Sequence, residues 1–264
     1  DFFIMILRRL GNKQKIAKDI QKHFPLHRIY IEPFFGAGGM FFNKPKAKYN
    51  IVNDLDSDVF NLFNVVLNQK EDLKKAFYMM PIHSDLLNHW KENEETEPIK
   101  KALRFLFISN LTFMGAGSSL VYSATGKAKA IKDKFNERLN ITFNMLYDCS
   151  FNSTDFREFI KNIEFQKDGR NDEEKTFIYC DPPYLGTMDN YSNSFKENDS
   201  IDLFNVLELR KCKFAMSEFN HPFILEQAKQ RNLNVIVIGE RKNLKNRKTE
   251  ILITNYKNEP TLFS

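Results

Sequence analysis

The sequence predicts an α/β domain of the nucleotide-binding kind, with an antiparallel hairpin at its C-terminal edge and a block of helices inserted after its second strand. Three observations predict it. The short β-type run Ile29-Tyr30-Ile31 empties directly into Glu32-Pro33-Phe34-Phe35-Gly36-Ala37-Gly38-Gly39. Glycines there let the backbone turn tightly and let a ligand approach it closely. A second run, Tyr49-Asn50-Ile51-Val52, ends at Asn53-Asp54, about 20 residues after the glycine turn, where a strand-tip carboxylate can grip a ribose hydroxyl. Last, Thr249–Thr254 is placed to pair with Val235–Ile238 as a hairpin, whereas a plain dinucleotide-dehydrogenase sheet ends in a parallel strand.

Composition bounds the class. The chain has 264 residues, 42% of them hydrophobic and 26 of them Phe, which suits a packed core and excludes wholesale disorder. Some of the Phe residues are free for stacking. Lys and Arg number 39 against 34 Asp and Glu, a net charge of +5. That balance is compatible with nucleic acid without requiring it. Cys149, Cys180 and Cys212 are widely spaced and odd in number, which fits neither a zinc site nor a disulfide framework and points to a reduced, cytoplasmic setting. No apolar run is long enough to cross a membrane as a helix.

In chain order, Gln14 to His23 has helical periodicity, and the two strands follow. Asp54 or Asp56 could instead serve as the N-cap of the helix expected from Val59 to Leu67. The segments Glu71–Met80, Ser84–Asn93 and Pro98–Leu111 read as amphipathic helices with no strand pattern between them. Next come Thr112-Phe113-Met114-Gly115-Ala116-Gly117-Ser118-Ser119 and a basic stretch, read as flexible, that carries Lys127, Lys129, Lys132, Lys134 and Arg138. Glycines, hydroxyls and positive charge together suggest a recognition module; lysines on a solvated helical cap are the plainer alternative. The β-type pattern resumes at Thr142–Tyr147, Thr176–Cys180, Lys213–Ser217 and Val235–Ile238, with a helix expected over Pro222–Arg231. The expected division is a catalytic domain of residues 1–58 and 137–264 around a helical insert of residues 59–136. The hairpin connection holds Arg241, Lys242, Lys245, Arg247 and Lys248, a set that either projects into water or holds phosphates.

The strand Thr176–Cys180 runs into Asp181-Pro182-Pro183-Tyr184. Two prolines hold the chain extended and remove two backbone donors, which leaves carbonyls as acceptors. With a carboxylate before them and a phenol ring after, the four residues can accept hydrogen bonds from an amine and stack a flat ring. That suits an exocyclic amine on a nucleobase, although Asp, Pro and Tyr also make ordinary turns.

Phe34-Phe35-Gly36-Ala37-Gly38 followed much later by Asp181-Pro182-Pro183-Tyr184 resembles the Dam-like, alpha-group DNA adenine-N6 methyltransferases, over nearly the whole chain. Asn53-Asp54-Leu55-Asp56-Ser57-Asp58 and Arg247-Lys248-Thr249-Glu250-Ile251-Leu252-Ile253 are similar to that family too. The resemblance implies a Rossmann-like sheet of the S-adenosylmethionine-dependent methyltransferase type with a helical target-recognition insert. It implies that Phe34, Gly36 and Gly38 line the cofactor site, that Asp54 holds the ribose, and that Asp155-Phe156 lies by the cofactor's adenine. Lys13 falls near the methionine part, in a stretch where the family's Trp-x-Gly-Gly-Lys reads Arg9-Leu10-Gly11-Asn12-Lys13. Asp181, Pro182 and Tyr184 hold the target base, Asp181 also bordering the cofactor. Lys127, Lys129, Lys245, Arg247 and Lys248 are the candidate DNA contacts.

The implied reaction moves a methyl group to the N6 amine of an adenine flipped out of double-stranded DNA, releases S-adenosylhomocysteine and needs no metal. The expected protein is a monomer, with restriction-modification one setting for it. An RNA adenine or a cytosine N4 amine would fit a similar claw, and Asp rather than Ser before the prolines favours adenine. A non-catalytic DNA-binding relative is the alternative of another class. A nicotinamide-dependent oxidoreductase rests on the glycine turn alone.

Overall fold

The computed structural model describes residues 5–7, 13–121, 126–167, 169–186, 195–242, 247–257 and 261. The chain forms two compact units: Gln14–Phe35, Asn43–Leu55 and Ser150–Ser264 make a sheet unit, while Asp1–Lys13, Gly36–Phe42 and Asp56–Cys149 make a helical one. In the sheet unit the chain passes from helix α1 (Ala17–Gln21) to the buried strand β1 (Ile29–Glu32), and later to β2 (Tyr49–Asn53).

The helical unit is built from α2 (Ser57–Asn68), α3 (Lys70–Met79), α4 (Ser84–Glu92), α5 (Pro98–Leu111) and α6 (Lys127–Leu146). Capping explains its boundaries. The Asp56 carboxylate accepts from the Asp58 amide at 2.9 Å to start α2. Glu97 accepts from the amides of Ile99 and Lys100 at 3.0 and 2.8 Å to start α5, with Pro98 in the first turn. The apolar stripes meet in a core that includes Leu62, Phe63, Leu73, Phe107 and Leu139, and the Phe77 ring stacks on Phe135 at 3.7 Å.

Two sequence expectations fail here. Thr142–Tyr147 is no strand: Thr142 to Leu146 are the last turns of α6. Buried Ile131, Phe135, Leu139, Thr142 and Leu146 recur every three or four residues, a period that a six-residue window cannot display. The basic stretch is likewise not a flexible segment, because α6 starts at Lys127 and carries those cations on a helix. Residues 137–149, which the periodicity grouped with the sheet, continue that helix and its turn.

The sheet unit resumes with β3 (Ser150–Asn152), α7 (Phe156–Lys161), a small hairpin of β4 (Gln166–Lys167) and β5 (Arg170–Asn171), and β6 (Thr176–Cys180). It continues through α8 (Glu197–Glu208), β7 (Lys213–Phe219), α9 (Pro222–Gln230), β8 (Asn234–Lys242) and β9 (Arg247–Thr254). The periodicity does not predict β3, α7 or α8. A seven-stranded sheet has the order β3-β2-β1-β6-β7-β9-β8. The first five run parallel. The expected hairpin is present, and its second strand, β9, lodges antiparallel between β7 and β8. This is the mixed, Rossmann-like arrangement expected. Strand β6 is buried at every position, as a central parallel strand must be. Its neighbours include Ile31, Phe204, Phe214, Met216, Ile224 and Ile253, all buried in one apolar cluster with Ile178.

Candidate active site

Strand order reverses between β1 and β6, because β1 leads to β2 on one side while β6 leads to β7 on the other. Open α/β sheets bind ligands beyond the carboxyl ends of their strands at such a switch point. Phe34 follows β1, Asp54 follows β2, Asp155 and Phe156 follow β3, and Asp181 follows β6. The residues chosen from separate motifs therefore stand past the carboxyl ends of adjacent parallel strands. The glycine turn leaves β1 with positive φ at Gly36 (53°) and Gly38 (74°), a region that glycine enters without strain. A side chain at Gly36 would meet no atom within 4 Å, so its positive φ rather than crowding is what calls for glycine there.

Of the two aspartates after β2, the structure gives the capping role to the second. Asp56 takes the N-cap of α2, and half-buried Asp54 stays at the strand tip, its amide donating to the Asn152 carbonyl at 3.1 Å. Asn53 holds three turns together. Its Nδ2 donates to the carbonyls of Pro33 and Thr154, each at 3.0 Å, and its Oδ1 accepts from the Thr154 amide at 3.0 Å.

Asp181 is half-buried, Pro182 is buried, and Tyr184 is 8% exposed. The Tyr184 hydroxyl donates to Glu250 on β9, and its ring meets Phe219 edge-on at 4.7 Å. One residue later the Leu185 amide donates to Glu218 Oε1 at 2.8 Å. Burial raises the Tyr184 phenol well above its ordinary range, with Asp181 and Glu250 adding to the effect, so it stays a neutral donor. Glu32 lies at the end of β1, 2% exposed, and accepts from the Tyr30 hydroxyl at 2.8 Å. Burial pushes its carboxyl well up against that hydrogen bond, and the charges of Asp181 and Asp54 push further. Both motif carboxylates thus lie within electrostatic reach of one buried acid.

Phe34, Phe156 and Phe195 form an aromatic group with centroids 5.4 to 6.0 Å apart. Asp155 N-caps α7 through the Arg157 amide at 2.9 Å. Arg157 also binds Asp155, Asp199 and Asp202, tying α7 to α8.

The candidate DNA contacts are dispersed. In the helical unit, Lys129 is exposed and pairs with Asp133 one turn away. Lys132 donates to the carbonyls of Tyr78 and Met80 at 3.0 and 2.8 Å, a capping role at the end of α3. Lys127 opens α6. In the sheet unit, Arg247 and Lys248 lie on β9 rather than in the connection, with Lys242 opposite Arg247 and Arg241 opposite Lys248. Lys248 Nζ lies 5.1 Å from the Phe219 ring centroid and donates to the Gly186 carbonyl at 3.4 Å. Lys245, and Arg9 to Asn12 of the N-terminal motif, lie outside the described residues; Lys13 is buried at the start of a short 3-10 turn in the helical unit.

Sequence reasoning missed Asn53, Glu32, Glu218 and Glu250 as site-building residues. The signal was an acid or amide inside an apolar strand, since such side chains are seldom fully buried without partners. Among the described residues no three His, Cys, Asp or Glu side chains cluster as metal ligands would.

Residues 10–257 match the family model for D12 class N6 adenine-specific DNA methyltransferases. A DNA adenine methylase of Haemophilus influenzae is 29% identical over 194 residues, covering 67% of this chain and 63% of that protein. The DNA adenine methylase of Escherichia coli K12 is 24% identical over 277 aligned residues, covering 95% of this chain and 94% of that one. Among solved structures, an rRNA methylase of Streptococcus thermophilus aligns with a TM-score of 0.41 and 8% identity, covering 93% of this chain and 97% of that one.

Proposed function

The chain belongs to the D12 class N6 adenine-specific DNA methyltransferases, and from that premise we propose how its residues transfer a methyl group from S-adenosylmethionine to the N6 amine of adenine in DNA. The RNA, cytosine and non-catalytic alternatives are not favoured by this membership. The observation that carries the proposal is the convergence of Phe34, Asp54 and Asp181 past the ends of β1, β2 and β6, beside a Tyr184 ring whose hydroxyl is held.

S-adenosylmethionine fits the residues present. Gly36 leaves open the space a side chain would occupy, Asp54 offers a strand-tip carboxylate to ribose hydroxyls, and Phe34 and Phe156 offer apolar ring faces for an adenine. Gly38 completes the turn, and Lys13 and Asp155 are further cofactor residues in this reading. When bound, the cofactor supplies an electrophilic methyl group on a sulfonium.

A stacked adenine cannot reach such a site, so the base is turned out of the duplex. Tyr184 then offers its ring face to the extruded base, worth about 1–3 kcal/mol by the usual base–aromatic figure. The Asp181 carboxylate and the Pro182 carbonyl accept the two amine hydrogens. This turns the nitrogen lone pair out of conjugation and leaves it ready to accept a methyl group. The methyl's bond to sulfur would break as the bond to nitrogen forms, the amine's surplus proton then passing to solvent. Prealigned acceptors and close approach supply the rate enhancement, with no covalent enzyme intermediate.

In this reading Lys245, Arg247 and Lys248 of the hairpin, and separately Lys127 and Lys129 of the insert of residues 59–136, contact backbone phosphates. The protein acts as a monomer on double-stranded DNA in the cytoplasm. Among the described residues no helix is long and apolar enough to cross a membrane.

The test is methyl transfer from labelled S-adenosylmethionine to unmethylated duplex DNA, with matched RNA in parallel and nucleoside analysis of both products. N6-methyladenine in the DNA alone is the expected result. Label in the RNA alone, or as N4-methylcytosine, would overturn the substrate assignment.

A further inference from the structure

Tyr184 is held at three points. Upstream, Pro182 and Pro183 restrict the backbone entering it. Downstream, the Leu185 amide is bound by Glu218 Oε1 at 2.8 Å, while Glu218 Oε2 accepts from the Phe219 amide at 2.5 Å. At the ring, the hydroxyl binds Glu250, and Phe219 fixes the tilt with an interplanar angle of 83°. The two acids come from neighbouring antiparallel strands, where Glu218 faces Ile251 and Phe219 faces Glu250. Both are essentially inaccessible, at 0% and 1% exposure, and Ile251, Leu252 and Ile253 follow Glu250 as core residues.

Burying a carboxylate in such surroundings is costly unless it is bound by donors. A glutamine or an apolar residue would fill the sheet at lower cost. A carboxylate accepts a stronger, charge-assisted hydrogen bond from a phenol than an amide does. The choice of acid therefore favours a firmly held hydroxyl. A ring that must receive an extruded base is most effective when its orientation is set beforehand, since ordering it at the moment of binding would subtract from affinity and alignment.

We propose that Glu250 is a positioning residue for methyl transfer: through the Tyr184 hydroxyl, and together with Glu218 at Leu185, it sets the plane on which the target adenine rests. The inference depends on the reading that Tyr184 stacks on that base. Glu250 touches neither base nor cofactor in this scheme. Its effect passes through Tyr184, so it belongs to turnover with DNA rather than to cofactor affinity.

The experiment uses the full chain with labelled S-adenosylmethionine and plasmid DNA from a methylation-deficient host. It compares Glu250→Gln, Tyr184→Phe, their double variant and Tyr184→Ala, with thermal melting and cofactor affinity by calorimetry on each. The expected result is that Glu250→Gln and Tyr184→Phe each lower kcat about tenfold, the scale of one firm hydrogen bond. Cofactor affinity should stay within about twofold, and the double variant should be no slower than either single one. A folded Glu250→Gln enzyme with wild-type kcat overturns the inference. So do losses that multiply in the double variant, or an equal loss in cofactor affinity. Should Glu250→Gln fail to fold, Tyr184→Phe decides alone: a tenfold loss supports the inference and wild-type kcat overturns it. Wild-type activity in Tyr184→Ala would overturn the stacking reading itself. An impaired Tyr184→Ala beside an unaffected Glu250→Gln leaves stacking in place and removes only the role of Glu250.

Discussion

The Asn53 side chain and the Thr154 backbone are joined twice, Nδ2 donating to the Thr154 carbonyl and Oδ1 accepting from its amide, both at 3.0 Å. The same Nδ2 also serves Pro33, so one buried carboxamide links the turns that follow β1, β2 and β3. Asn53→Ala leaves these groups without that partner and should cost about 2–3 kcal/mol of stability. Asn53→Asp sets a carboxylate oxygen against two carbonyls and should cost more. Denaturant unfolding reads both, and cofactor affinity should fall with them. A neutral Asn53→Ala would show that water replaces the link without loss.

Asp181→Ala removes one of the two acceptors assigned to the target amine. Turnover should fall on the order of 10²–10³-fold, the range for deleting one preorganised polar group from an active site, while the folded protein still melts cooperatively. Turnover near wild type would remove Asp181 from the mechanism.

Lys248 lies beside the Gly186 carbonyl and the Phe219 ring, the ring that also meets Tyr184 edge-on. If it holds a phosphate, Lys248→Gln should reduce the slope of log affinity against log salt by about 0.9. Removing Lys245 and Arg247 as well should flatten the slope further. A slope unchanged in Lys248→Gln would confine this lysine to its contacts within the protein.

His27 supplies a pH dependence of stability. Burial lowers its pKa to about 4, the nearby Lys44 charge acts in the same direction, and the hydrogen bond with the Pro25 carbonyl opposes them. The unfolded chain protonates its histidine near 6.5 and the folded one only near 4. Between those values the unfolded state holds more protons, so stability falls as pH falls. Full protonation linkage would amount to at most about 3.4 kcal/mol. The His27→Gln variant should lose less stability than wild type between pH 7 and 4.5 in urea titrations. Parallel losses in the two proteins would assign the acid sensitivity to other groups.

The strands were legible where period and punctuation coincided. Ile29-Tyr30-Ile31 ahead of the glycine turn, and Thr176–Cys180 ahead of two prolines, each combine an apolar run with a residue that ends it. Thr142–Tyr147 misled because β-branched and aromatic residues look strand-like over six positions, while the burial that keeps them helical spans all of α6. Asp181 and Tyr184 stood out in the sequence because the two prolines between them mark the end of β6 locally, and their proposed part in holding an amine awaits the variants above. Glu250 did not stand out, since its meaning depends on which strand lies beside β7.

The sequence by itself determined the order of the chemistry: a glycine turn, a strand-tip aspartate, an Asp-Pro-Pro-Tyr claw and a basic hairpin. Each rests on interactions within a few residues of chain, where φ restriction, side-chain alternation and capping act. Only the tertiary structure decided which motifs meet. Parallel pairing of β1, β2, β3 and β6 brings their carboxyl ends together, and insertion of β9 beside β7 carries Glu250 to the Tyr184 hydroxyl. The physical reason is that strand pairing and register are set by burying one apolar core across distant segments. Contacts 66 residues apart, such as that between Tyr184 and Glu250, leave no local trace in the chain.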